Sequence, residues 1–199
     1  MPQGDPATTS RAFAPFLPRL VMANPGTKVF PCQGTALELR LHGVQSLVAW
    51  YESRGSEGAD DLSRLLSRTL DPLLEALERF GGDALELSSR GITALFPDEP
   101  DLSTCAARAL ACATALQKAL HEKGEAPDRS GIPTLSGGIG LACGVLHGIV
   151  LGEPSLGQHV VFTGAALEQA SQAAEAAAPG GILLQPSVGV QLDPDQVVT

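Results

Sequence analysis

The chain has 199 residues, 44% of them hydrophobic, with 22 glycines, 15 prolines and only 4% aromatics. This composition suits one domain with an aliphatic core and many short turns. A formal net charge of −9 argues against nucleic acid or an anionic membrane surface as partner. No stretch approaches the roughly 20 apolar residues of a membrane span, and no basic region followed by an apolar run opens the chain. Cys32, Cys105, Cys112 and Cys143 form no Cys-x-x-Cys pair and have no histidine at metal-ligand spacing. They read as small buried hydrophobes, Cys105 and Cys112 on one face of a helix, and as reduced thiols they predict a cytoplasmic protein.

Residues 1–33 read as a flexible N-terminus and a short packing arm, the apolar stretch Phe13–Met22 broken by Pro15 and Pro18. Leu37, Leu39 and Leu41 alternate with Glu38, Arg40 and His42, a half-buried strand ended by Gly43. Val44–Tyr51 has helical spacing. From Asp60 to Phe80, leucines at 62, 65, 66, 70, 73, 74 and 77 form a helical stripe. Pro72 is expected to kink that helix or to restart it, with Asp71 as N-cap. Two strands follow, Ala84–Leu87 and Ile92–Phe96, joined at Ser88-Ser89-Arg90-Gly91. A long Ala-rich helix capped by Asp101 or Ser103 reaches about Lys123. Ser136–Gly152 holds six glycines and reads as a strand pair, followed by a strand at Gln158–Thr163, a helix at Gly164–Ala178 and a strand at Ile182–Gln185. The glycines are no phosphate loop, since no Lys-Ser/Thr follows and no helix opens there. The order predicts an α+β fold of the ferredoxin-like type, mostly antiparallel, with helices packed on one face of the sheet. Its expected core includes Leu37, Leu39, Leu41, Leu85, Leu87, Ile92, Ile139 and Leu141.

Several segments agree in order and spacing with one family. Arg40-Leu-His-Gly-Val44 parallels Asp-Ile-x-Gly-Phe. Phe80-Gly-Gly-Asp83 parallels a helix ending in Gly-Gly before the second strand. Gly138-Ile-Gly-Leu-Ala-Cys-Gly144 parallels a glycine-studded hairpin. Val161-Phe-Thr-Gly-Ala-Ala-Leu-Glu-Gln-Ala170 parallels Val-Ile-Gly-x-x-Val-Asn-x-Ala, and Pro179-Gly-Gly-Ile-Leu-Leu184 parallels Pro-Gly-x-Ile-Leu-Val. From about Gly34 to Leu192 the chain thus resembles the catalytic domain of class III adenylate and guanylate cyclases, in their soluble tandem-domain branch. The resemblance implies a nucleotide cyclase fold over residues 34–192. It also makes 193–199 a tail expected to lead into further domains.

By the same resemblance, Arg40 and Arg90 stand where two aspartates would hold Mg²⁺, Glu86 and His159 where the purine would be read, and Glu168 and Gln172 where an Asn and an Arg would meet the ribose and the transition state. A guanidinium stays charged and is no metal ligand. Glu38, two residues from Arg40, with Glu86 makes only a misplaced carboxylate pair. Arg40 and Arg90 are left three uses: pairing with Glu38, Glu86 or Asp83; binding an anion such as a nucleotide phosphate; or meeting a partner domain. Catalytic and metal-binding residues are therefore expected to be absent, no cofactor is expected, and Mg²⁺ would be needed only if the domain were active. The expected function is a dimerising, regulatory cyclase-like domain in intracellular signalling, paired as a homodimer or with a second cyclase-like domain. The alternatives are an adenylate cyclase active only with a partner domain, and a non-catalytic nucleotide or anion sensor.

Overall fold

The computed structural model describes residues 18–99, 104–124, 131–153 and 157–192; the expected cap residues Asp101 and Ser103, most of the packing arm and the 193–199 tail lie outside them. In chain order the elements are α1 (Arg19–Ala23), β1 (Val29–His42), α2 (Val44–Glu52), α3 (Ser56–Arg79), β2 (Asp83–Ser88), β3 (Gly91–Pro97), α4 (Cys105–Gly124), β4 (Ser136–Glu153), β5 (Gly157–Thr163), α5 (Ala165–Ala176), β6 (Ile182–Leu184) and α6 (Pro186–Gly189). The sheet runs β2-β3-β1-β4-β5, antiparallel throughout, and β6 adds a parallel pairing along the first half of β4. The fold is α+β, as expected.

Period-two alternation along β1 sends successive residues to opposite faces. Leu37 and Leu39 meet Ile92, Ala94, Ile139 and Leu141, and this face is closed by Leu73 and Leu77 of α3 and by Cys112, Ala113, Leu116 and Leu120 of α4. Ala36 meets Leu95, Ala142 and Leu146 on the other face, closed by Ala166 and Ala170 of α5. Helices therefore cover both faces, not one. The cause lies in α5: its buried residues are all alanines, a helix thin enough to lie directly on the strand backbones. Each fully buried leucine contributes about 1.5–3 kcal/mol. The larger aliphatic core on the α3/α4 side is thus the main source of stability.

Four further expectations are corrected. Ser136–Glu153 is one continuous strand, paired with β1 from Val29↔Ile149 to His42↔Ser136. Its glycines make room rather than turns: a Cβ at Gly140 would collide with the Ala170 carbonyl and the Ala174 N–H of α5. β1 is also twice as long as the alternating leucines suggest, because Pro31 and Gly34 hide its first half. In β2 a register shift between Ala84 and Glu86 moves Leu85 to the α5 face, and Leu87 is left about half exposed at the sheet edge. Finally, α3 is a single helix with Pro72 inside it, so of the two expectations the restart at Asp71 is the one overturned. The buried Leu73 and Leu77 hold the chain helical across the one hydrogen bond that proline removes.

Candidate functional site

One end of the sheet gathers most of the residues singled out from sequence. Arg40 lies next to Gly91 across β1 and β3, and the Leu41 N–H donates to the Arg90 carbonyl at 2.8 Å. Both arginines line a cleft of about 370 Å³ with Glu38, Glu86, Ser88, Thr93, Phe162, Leu167, Glu168 and Ser171. The β2–β3 turn supplies Arg90, β1 supplies Glu38 and Arg40, and the first two turns of α5 supply Glu168 and Ser171. Gln172 sits one turn beyond Glu168 on the exposed side of α5 and donates to Glu168 Oε1 at 3.4 Å. His159 is not in the cleft: it pairs with Leu151 on the exposed β5 ribbon. The two residues at the expected purine positions, Glu86 and His159, do not meet within this chain.

Arg40 is held from α5. Its Nη2 donates to Ser171 Oγ at 3.1 Å and its Nη1 lies 3.8 Å from Glu175 Oε2. None of Glu38, Glu86 and Asp83 is its ion-pair partner. Asp83 instead caps α1, its two carboxylate oxygens accepting from the Arg19 and Leu20 N–H groups at 2.9 Å each. Ser171 and Glu175, spaced one helical turn apart, escaped the sequence reading. Glu38 Oε2 accepts from Thr93 Oγ1 at 2.6 Å. Burial pushes the Glu38 carboxyl above its ordinary range, opposed by the Thr93 hydrogen bond and by Arg40, reinforced by Glu86 and opposed again by Arg90. Beside the cleft, a positive φ at Gly43 starts α2, and the buried Nε2 of His42 has no hydrogen-bond partner among the described residues.

The donor set does not fit a divalent cation. Two guanidiniums, Arg40 and Arg90, stand in the cleft, and one of its carboxylates, Glu38, is hydrogen-bonded and raised toward its neutral form. Among the described residues no group of three or more His, Cys, Asp or Glu side chains is placed to share a metal ion. Nor does the cleft favour a polyanion by charge alone, since two guanidiniums stand against three carboxylates.

No family model and no curated protein matches the chain. Solved structures do. The guanylyl cyclase Cya2 superposes with a TM-score of 0.66 at 22% identity, covering 85% of this chain and 82% of that one. A dimeric guanylyl cyclase domain of the RhoGC fusion protein from the aquatic fungus Blastocladiella emersonii gives 0.64 at 18%, covering 83% and 85%. A class III adenylyl cyclase-like ATP-binding protein from Pseudomonas aeruginosa gives 0.67 at 17%, covering 88% of this chain and 38% of that one. The chain has the fold of the class III nucleotide cyclase catalytic domains. No helix among the described residues is long and apolar enough to cross a membrane.

Proposed function

We propose that this domain is a catalytically inert member of the cyclase fold that works by pairing with a second cyclase-like domain, a copy of itself or another chain's, and regulating it. The observation that carries this reading is Arg40. By the resemblance it stands at the first metal-aspartate position, and it is tied to Ser171 and Glu175 of its own α5. By the same resemblance Arg90 stands at the second position, and it lines the same cleft from the neighbouring turn. Losing two-metal assistance removes several kcal/mol of transition-state stabilisation, on the order of a thousandfold or more in rate.

The test is direct. Purified protein is incubated with ATP or GTP and Mg²⁺ or Mn²⁺, and cyclic nucleotide is measured by mass spectrometry. No product above a heat-denatured control is expected. Turnover that a Glu38→Gln, Glu86→Gln variant abolishes would overturn the reading. The nucleotide-sensor alternative is supported by the ATP-binding neighbour and by the two arginines, and opposed by the three glutamates beside them. Equilibrium dialysis with ATP in the absence of metal separates the two: binding lost on Arg90→Ala would favour the sensor.

A further inference from the structure

A second cluster lies away from the cleft, where the start of α4 meets the middle of the sheet. Cys105 is the first residue of α4 and Cys143 lies in β4; both thiols are free. Cys105 belongs to the core cluster against which Cys143 packs, and each thiol shifts the other's titration. The Thr35 hydroxyl of β1 lies 3.0 Å from Cys143 Sγ and also lowers the Cys105 thiol. Cys105 Sγ lies 3.4 Å from Gln191 Oε1, and Ser187 Oγ of α6 accepts the Cys143 N–H at 3.0 Å. Thr104 Oγ1 caps the helix by accepting the Ala107 N–H at 3.2 Å, which fixes Cys105 in the first turn.

We infer that Cys105 and Cys143 form a reversible dithiol–disulfide site, closed by a peroxide. The two side chains pack in one core cluster beside the Thr35 hydroxyl, and Cys105 stands at the positive end of a 20-residue helix, where a thiolate is favoured. Charge agrees with that assignment. The hydrogen bond from Cys143 brings the Cys105 thiol down to about 6 against the pull of burial; the Thr35 and Ala106 donors help, and Asp98 opposes. Cys143 is pushed up, first by Cys105 and then by burial. The other two cysteines lack this setting. Cys112 is pushed up to about 12 by burial alone, and Cys32 is raised by burial and by Asp83.

The steps balance without a further reactant. The Cys105 thiolate attacks one peroxide oxygen, an S–O bond forms, the O–O bond breaks, and the leaving hydroxide takes a proton to become water. Cys143 sulfur then attacks the Cys105 sulfenic acid. The S–S bond forms, the S–O bond breaks, and the departing hydroxyl carries off the Cys143 proton as a second water. Two electrons pass from the sulfurs to the peroxide.

The site is tested on the full 199-residue chain. Native protein is exposed to hydrogen peroxide, free thiols are alkylated under denaturant, and tryptic peptides are read by mass spectrometry. Trypsin separates all four cysteines, into peptides 29–40, 91–108, 109–118 and 130–199. The expected result is a dithiothreitol-reversible link between 91–108 and 130–199, with alkylation of Cys105 and Cys143 falling together and that of Cys32 and Cys112 unchanged. In Cys143→Ser, Cys105 should instead be trapped by a sulfenic-acid probe. A link that involves Cys32 or Cys112, a link that forms only in denatured protein, or Cys105 and Cys143 still alkylating fully at a peroxide dose that oxidises glutathione would each overturn the inference.

Discussion

Glu38 is the cleft residue whose chemistry its surroundings alter. Its folded carboxyl titrates above its ordinary value, so its favourable contribution is complete below that value and is lost as pH rises through the raised one. Glu38→Gln keeps an acceptor for Thr93 Oγ1 while removing the charge. Thermal melts should show the variant gaining stability over wild type between mildly acidic and neutral pH; an unchanged difference across that range would mean Glu38 titrates normally. Arg40 differs, because its partner Glu175 is 71% exposed and 3.8 Å away. Exposed pairs of this kind contribute about 0–1 kcal/mol. Arg40→Ala should therefore cost less than about 1 kcal/mol in urea denaturation. A much larger loss would show that the α5 contact is structural. Asp83 is the strong cap: Asp83→Ala leaves two N–H groups of α1 without their acceptor, a loss of about 1–2 kcal/mol. Hydrogen exchange at residues 19–23 should accelerate with it.

Among the elements, β4 and α5 depend on each other through Gly140. Gly140→Ala puts a methyl group into the α5 backbone, and overpacking of this kind costs about 1–3 kcal/mol. Gly189→Ala, where nothing lies within 4 Å, should be neutral in the same urea titration. Gly140 also explains what the sequence concealed. The β1 leucines, the α3 stripe and the Ala-rich α4 were legible because burial on one face writes a period into the chain. The glycines of β4 read as turns because a glycine required by an approaching helix looks the same as one required by a bend. The bulge in β2 was invisible for a related reason: Leu85 and Leu87 keep their alternation in sequence while the backbone shifts beneath them. In the cleft, Arg40, Glu86, Arg90 and Glu168, all singled out from sequence, line one wall or another. Ser171 and Glu175 were not singled out, because a contact across 131 positions between a strand and a helix leaves no local trace.

At the scale of the whole molecule, a row of exposed apolar residues lies away from the cleft. Val29, Val145, Leu151 and Val161 are 46–55% exposed. Val29, Ile149 and Val161 lie in one cross-strand row where β1, β4 and β5 run past the covering helices. A second domain seated on this ribbon as well as on the Arg40 face would cover both, and a stable interface of that kind buries on the order of 1,600 Å² or more. Sedimentation at micromolar concentration should show association of the wild type, or capture of the partner domain, weakened at least tenfold by Leu151→Glu with Val161→Glu. A variant that associates as tightly as wild type would remove the ribbon from the interface.

The long pairing of β1 with β4 also sets an order of events during synthesis. Leu39 and Ile139, adjacent in the sheet, are 100 positions apart in the chain. A ribosome adding about 5–20 residues per second needs several seconds or more to cover that distance. Through that interval β1 has β3 on one edge and an open hydrogen-bonding edge on the other, with Leu37 and Leu39 already made. A nascent chain stalled before residue 136 should therefore be protease-sensitive and prone to strand-edge aggregation, and one stalled after β6 has cleared the exit tunnel should resist. The element that organises the finished sheet is the one left waiting longest for its neighbour.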